Sequence, residues 1–254
     1  MAVEYTSNEL MAVTAARRIL DGKTIFVGLG LPQVAAILAK SSHAPNLNIV
    51  MEVGVVNPEP LPGVGIADPR LWYKAEHFTS LVGALGGLLQ KGLVDIGFLG
   101  SLQIDRYGNL NSTQVNQADG SIRHFTGSGG ASDIASLSND VFVIMKHEKR
   151  KIVEKLDFLT SVGAYKGKNT RVEKGLKKTR GVTVFTNLCV MQTGAESGEL
   201  EVVSIHPGVT LETLRENTGF DITIPANVPA TDEPNEQELH LLRNVIDPSK
   251  MYIK

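Results

Sequence analysis

Glu52 is the side chain least in keeping with its neighbours. It interrupts Leu47-Asn-Ile-Val-Met-Glu-Val-Gly-Val-Val56, where every other residue from Ile49 onward is apolar or glycine. Such a run predicts a buried strand over 47–54, with a carboxylate near its C-terminal end, where open α/β sheets place their sites. A carboxylate removed from water costs free energy unless it is paired or takes part in a reaction. Two readings stand at this point: a strand-end glutamate that reaches solvent or a basic partner, and a catalytic carboxylate.

Two further stretches carry groups able to act on a ligand. Gly127-Ser-Gly129-Gly130-Ala131 is a glycine cluster, with Ser132 or Asp133 expected to cap a short helix after it. Glycines this dense let a ligand approach the backbone and offer N–H groups to an oxyanion or phosphate; the other reading is a plain loop. Upstream, Gln103-Ile-Asp105-Arg106-Tyr107-Gly108-Asn109-Leu-Asn111-Ser112-Thr113 is unusually polar. Gly108-Asn109 suits a tight turn. Asn111 either serves that turn or donates a hydrogen bond to an oxyanion.

Other familiar chemistries are poorly supported. Gly28-Leu-Gly30 supplies two glycines of a dinucleotide fingerprint, but Gln33 stands where the third belongs. A tight strand-to-helix turn remains, with a helix N-terminus that suits an anion. The six histidines (His43, His77, His124, His147, His206, His240) form no HxH, HxxxH or HExxH pair, so no metal site is expected. Cys189 is expected to be a small buried apolar residue. Gly127-Ser128-Gly129 lacks the GxSxG spacing of a catalytic serine.

These residues need a scaffold, and the hydrophobic pattern predicts one. Short apolar strands are expected at 24–28, 47–54, 94–99, 141–145 and 182–185, with an alternating edge strand at 200–205. Helices are expected at 33–41 behind Pro32, at 80–93 through Leu81, Leu85, Leu88 and Leu89, at 210–217 with Thr210 as cap, and at 236–244. Pro58, Pro60, Pro62 and Pro69 are too dense for regular structure and predict a shaped loop. Continuous apolar strands separated by helices predict a largely parallel sheet covered on both faces.

Composition narrows the class. The 254 residues are 42% hydrophobic and 20% charged, enough to bury a core, and within reach of a single domain over 1–254. A net charge of −2 lacks the basic excess of a nucleic-acid binder. One cysteine excludes an intramolecular disulfide and a cysteine-based zinc site. With no run of about 18 apolar residues and no basic N-terminal region, no membrane span or signal peptide is expected, and the default address is the cytoplasm. Charge is uneven: residues 140–180 hold 12 Lys/Arg and five acids, whereas 194–238 hold ten acids and only Arg215. Two solvated faces explain this, as does a basic patch for an anionic cofactor or a partner chain.

As an ordered set, Gly28-Leu-Gly30-Leu-Pro32, Ile49-Val-Met-Glu-Val-Gly54, the 103–113 stretch, Phe125-Thr-Gly-Ser-Gly-Gly-Ala131, His147-Glu-Lys-Arg150 and Asn217-Thr-Gly-Phe-Asp221 resemble the β subunit of the family I CoA-transferases, of the glutaconate type. The resemblance implies an α/β three-layer sandwich around a mainly parallel sheet, the CoA-transferase (NagB/RpiA-like) architecture. It implies that Glu52 attacks an acyl-CoA thioester, passing through a mixed anhydride to a glutamyl-CoA thioester before CoA moves to a short carboxylic acid. Asn111 and backbone amides around Gly127, Gly129 and Gly130 would serve oxyanion and CoA binding, with Gln103 in the same signature. No permanently bound cofactor is implied, coenzyme A thioester being substrate, and an α subunit is the implied partner. The family's usual serine after the glutamate is Val53 here. That departure keeps an acyl-CoA hydrolase or decarboxylase on the same fold as a rival, beside a non-catalytic ligand-binding subunit.

Overall fold

The computed structural model describes residues 4–58 and 68–254, so most of the proline-rich loop, with Pro60 and Pro62, lies outside the described residues. The chain divides into two compact units, one made of the residues up to Phe98 together with Asp232–Lys254, the other of Leu99–Thr231.

The first unit opens with helix α1 (Ser7–Arg17), which begins at a capping box: Thr6 Oγ1 accepts from Glu9 N and the Glu9 carboxylate accepts from Thr6 N. Strand β1 (Thr24–Phe26) leads through Gly30, whose φ of 90° favours glycine, into α2 (Leu31–Ser41), with Pro32 in its first turn. Then come β2 (Asn48–Val50), β3 (Val55–Val56), β4 (His77–Phe78) and β5 (Ile96–Leu99). β1 lies between β2 and β5, parallel to both, and β3 and β4 extend the β2 edge antiparallel. Ile25, Phe26 and Val50 are buried, as strands covered on both faces require. The segment expected as an α-helix at 80–93 widens into a π-helix over Gly83–Leu89. Gly83, Gly86 and Gly87 provide no side chains to hold the tighter spacing, and the buried pair becomes Ala84 and Leu89, five apart, as i→i+5 bonding dictates. Leu81, expected on the buried face, is exposed.

The second unit contains two small hairpins, β6 (Gln103–Ile104) with β7 (Leu110–Asn111) and β8 (Gln114–Asn116) with β9 (Ile122–His124). Next come α3 (Ala131–Leu137), β10 (Asp140–Ile144), α4 (Thr170–Glu173), β11 (Gly181–Phe185), β12 (Cys189–Thr193), β13 (Leu200–Ile205) and α5 (Leu211–Glu216). β10 and β11 pair in parallel over five residues, and β12 and β13 follow as an antiparallel meander. β13 alternates buried and half-buried positions, as expected of an edge strand; β12 has no counterpart in the sequence reading. Helix α3 starts at Gly130 without a side-chain cap, so neither Ser132 nor Asp133 caps it. The chain then returns to the first unit through α6 (Glu236–Leu241), where Glu238 pairs with Arg17, while Arg243 pairs with Glu9.

Two buried polar arrangements hold the second unit together. Arg171, 5% exposed, donates all five of its N–H groups to carbonyls: those of Lys177, Val162, Gly163, Ala135 and Ser136. The last two lie in the final turn of α3, where the helix dipole favours a cation. The second arrangement is centred on Thr186, at the end of β11. Its hydroxyl lies 3.1 Å from His147 Nδ1, and its carbonyl 2.7 Å from His206 Nε2. A carbonyl only accepts, so His206 carries its proton on Nε2 and receives Thr231 Oγ1–H at Nδ1, 2.8 Å away. Cys189 beside them is fully buried, its thiol pushed up to about 12 by desolvation, as suits an inert core residue.

Burial holds His147 well below the histidine range, at about 4, with nearby His206 adding to the effect; burial lowers His206 too. In the unfolded chain both titrate near ~6.5. Between these values the unfolded chain takes up protons that the folded chain refuses. Stability is therefore full above the unfolded value and falls as the pH drops through it. From pH 8 to pH 5 His147 alone should remove about 2 kcal/mol of stability. Urea midpoints should drop over this interval, and His147→Gln should flatten the dependence; a wild-type midpoint that stays level would contradict it.

Candidate active site

In the first unit, Glu52 does not lie in a strand. β2 ends at Val50, and the chain turns back through Glu52, Val53 and Gly54 into β3. Met51 N donates to Val55 O and Gly54 N to Met51 O, both at 2.9 Å, and Gly54 has φ 92°. This is the three-residue hairpin in which a turn closes on a glycine at positive φ. The apolar pattern concealed it because Val53 to Val56 read as a continuation of the strand. Thr79, next after β4, donates its N–H to Gly54 O at 2.8 Å. A Cβ built on Gly54 would run into the Thr79 carbonyl, so glycine is required twice over, by conformation and by space.

Beneath the turn, Met51, Val55 and Leu71 form a buried cluster, with Leu29, Val53 and Ala75 packed on it. Leu29 belongs to the Gly28-Leu-Gly30 turn, so the two turns after β1 and β2 brace one another at the strands' C-terminal ends. Glu52 itself is half-buried, and among the described residues its carboxylate makes no hydrogen bond or ion pair. Beside it Val53, Gly54, Val55, Trp72, Phe78 and Thr79 line a cleft of about 360 Å³. Trp72 and Phe78 are 59% and 61% exposed, unusual for rings of this size, and Tyr73, Leu81 and Val82 are exposed along the same stretch of chain.

In the second unit, Gln103 and Asn111 face each other across the β6–β7 hairpin. Asn111, fully buried, donates its two amide protons to Gln103 Oε1 and Gln114 O, each at 2.7 Å, and accepts from Thr113 N and Gln114 N. Gln103 donates to Asp157 and accepts from Asp157 N. Ser112, next to Asn111, carries the glycine loop: its carbonyl accepts from Gly127 N, and its hydroxyl donates to Gly127 O at 2.8 Å. Ser132 in turn donates to Thr160 O and lies 2.7 Å from Ser128 Oγ. Gly127 and Gly129 have φ of 81° and 47°, with open space where a Cβ would stand. Gln103 and Asn111 are thus brought together, and Ser112, next to Asn111, ties the 127–130 loop to their hairpin. Asp157 and Thr160 were missed in the sequence, and Ser112 was read only as part of the polar stretch; Asp157 lies 54 residues from Gln103, and nothing in its own neighbourhood marks it.

The sequence profile of the coenzyme A transferases matches residues 8–217. This chain belongs to that family. As a CoA-transferase family member it is 40% identical to the β subunit of the 3-oxoadipate CoA-transferase of Pseudomonas knackmussii, over 94% of this chain and 92% of that protein. It is 33% identical to the β subunit of the glutaconate CoA-transferase of Acidaminococcus fermentans, over 98% and 96% of the two chains. The crystal structure of glutaconate coenzyme A-transferase from the same organism superimposes with a TM-score of 0.90, covering 99% of this chain and 98% of that one at 32% identity. The expected fold class holds: a mixed, mostly parallel sheet with flanking helices. No helix among the described residues is long and apolar enough to cross a membrane.

Within this CoA-transferase chain the Glu52 hairpin is testable without knowing its substrate. Gly54→Ala adds both a disfavoured φ and a collision with Thr79, and should destabilise the protein by about 2 kcal/mol or more. Gly22→Ala, also at positive φ but with open space around it, should cost less. Equal shifts in the urea midpoint for the two variants would remove the close approach as a constraint.

Proposed function

We propose that this chain is the nucleophile-bearing β subunit of a CoA-transferase that moves CoA between an acyl-CoA and a short dicarboxylic acid. The observation that carries the reading is the Glu52 carboxylate, half-buried and unpaired among the described residues, on a hairpin tip whose backbone is fixed. Glu52 attacks the thioester carbonyl carbon and CoA thiolate leaves, giving a mixed anhydride. The thiolate then attacks the glutamyl carbonyl, releases the donor acid as carboxylate and leaves a glutamyl-CoA thioester. The acceptor carboxylate attacks that thioester, and the returning thiolate takes the new acyl group and frees Glu52. A carboxylate suits this sequence because it is both nucleophile and leaving group.

Each tetrahedral intermediate places charge on a former carbonyl oxygen and requires donors. Backbone N–H groups of Gly129 and Gly130 are our candidates, with open space where a Cβ on Gly129 would stand. Because both amide protons of Asn111 are already donated, we assign Asn111 and Gln103 to positioning this loop rather than to the oxyanion itself. The acids in the two relatives' names, 3-oxoadipate and glutaconate, are both short dicarboxylates, which supports that acceptor class here. Both relatives are named as one subunit of their enzyme, which supports an α-type partner. The exposed Trp72, Phe78, Leu81 and Val82 beside the Glu52 hairpin are the face we assign to it.

Two experiments test the reading. Glu52→Gln in the complex with its α-type chain should lower transfer by at least about a thousand-fold while fold and assembly persist. Incubation of wild type with 3-oxoadipyl-CoA or glutaconyl-CoA, then borohydride, should modify the Glu52 peptide in a mass spectrum. CoA lost to water with Glu52 unmodified would favour an acyl-CoA hydrolase or decarboxylase, and loss of assembly in Glu52→Gln would make Glu52 structural. Separately, Phe78→Glu should abolish co-purification of the α-type chain without shifting this chain's own melting temperature; retained assembly would place the partner elsewhere.

A further inference from the structure

Residues 165–180 hold seven Lys and Arg against a single acid, Glu173. The arginines in this strap are engaged within the protein: Arg171 is buried on five carbonyls, and Arg180 pairs with Asp140 at 2.9 Å. Of the lysines, only Lys177 and Lys166 make such contacts among the described residues. Lys166, Lys168, Lys174, Lys177 and Lys178 are all exposed, and none forms an ion pair among the described residues. Lys177 Nζ bonds Leu137 O and Asn139 Oδ1, while Lys166 lies over the Tyr165 ring.

The backbone bearing these charges is rigid. Tyr165 and Lys168 have φ of 64° and 50°, Lys168 N donates to Ser197 O at 2.8 Å, and a Cβ on Gly167 would stand 2.6 Å from that same oxygen. Arg171 and Lys177 clamp the strap to the C-terminal end of α3, whose other end carries the 127–130 loop. A seven-residue helix separates the two by about 10 Å. A flexible ligand longer than this, with a reactive carbonyl at one end and negative charge at the other, reaches both.

The kind of cation selects the occupant. Stable protein interfaces are depleted in lysine and enriched in arginine. Lysine is a hydrated point charge that suits phosphate without demanding one geometry. We propose that Lys166, Lys168, Lys174 and Lys178 bind the phosphate groups at the nucleotide end of the CoA thioester, an assignment that rests on the CoA-transfer reading.

The test compares acyl-CoA with the matching acyl-pantetheine thioester, which lacks the nucleotide, in the complex with the α-type chain. The triple variant Lys168→Glu, Lys174→Glu, Lys178→Glu should raise KM for acyl-CoA at least about ten-fold and leave KM for the pantetheine thioester and kcat unchanged. Rising salt should raise the wild-type KM for acyl-CoA and have little effect on the variant's. An unchanged acyl-CoA KM, or equal rises for both thioesters, would overturn the assignment and leave the Glu52 reading intact. Loss of assembly in the variant would make the strap a protein interface instead. Wild type that turns over neither thioester would remove the transfer reading, and this assignment with it.

Discussion

The backbone of Thr79 lies so close to Gly54 that no side chain fits between them, and the placement of Glu52 follows from that approach. The Thr79 N–H to Gly54 carbonyl bond continues the β3–β4 pairing one step beyond its last residue pair. It fixes the third residue of a loop whose first residue is Glu52. Below the loop, Met51, Val55 and Leu71 leave no room for it to sink, and Leu29 from the neighbouring turn closes the side. A long acidic side chain is mobile by nature, but the position of its Cα here is decided by hydrogen bonds and a steric limit. The chain therefore spends little conformational entropy on ordering this tip when a ligand arrives.

The second unit reaches a similar rigidity by other means. Its loops lack regular partners, so buried side chains satisfy their backbone groups. Asn111 acts as a short piece of sheet, accepting two N–H groups and donating two of its own. Arg171 does the same for carbonyls alone, with no carboxylate beside it. A buried guanidinium is tolerated because each N–H has an oxygen, two of them at a helix C-terminus. Replacing it with lysine would leave carbonyls unanswered, since three donors cannot serve five acceptors.

The strands that form the buried parallel pairs were legible because apolar runs bounded by glycine or charge have few alternatives. The edge strand β13 and the cap at Thr210 were legible for equally local reasons: alternation in one case, a threonine hydroxyl on Thr213 N in the other. Glu52 stood out as chemistry, but its setting did not. Val-Gly-Val-Val after it has the composition of a strand, and only the return pairing of β3 with β2, held by β4 more than twenty residues on, shows it to be a hairpin. The π-helix was hidden for the opposite reason. Leucine spacing at 81–89 fits an α-helix, and the consequence of three glycines appears only once Ala84 and Leu89 must both face the core. Asp157 and Thr160 could not be found at all, because what they do is set by partners about fifty residues away.

What surrounds Glu52 also bears on why an apolar rim belongs there. A carboxylate paired with lysine or arginine is stabilised before reaction, and that pairing must be weakened as its charge moves into a new bond. Val53, Trp72 and Phe78 offer no such partner. Their exposure leaves water as the carboxylate's main competitor in the isolated chain. A second subunit seated on Trp72 and Phe78 would displace that water and bury aromatic surface in the same step, so the free energy of assembly and the reactivity of the proposed nucleophile would draw on one apolar surface.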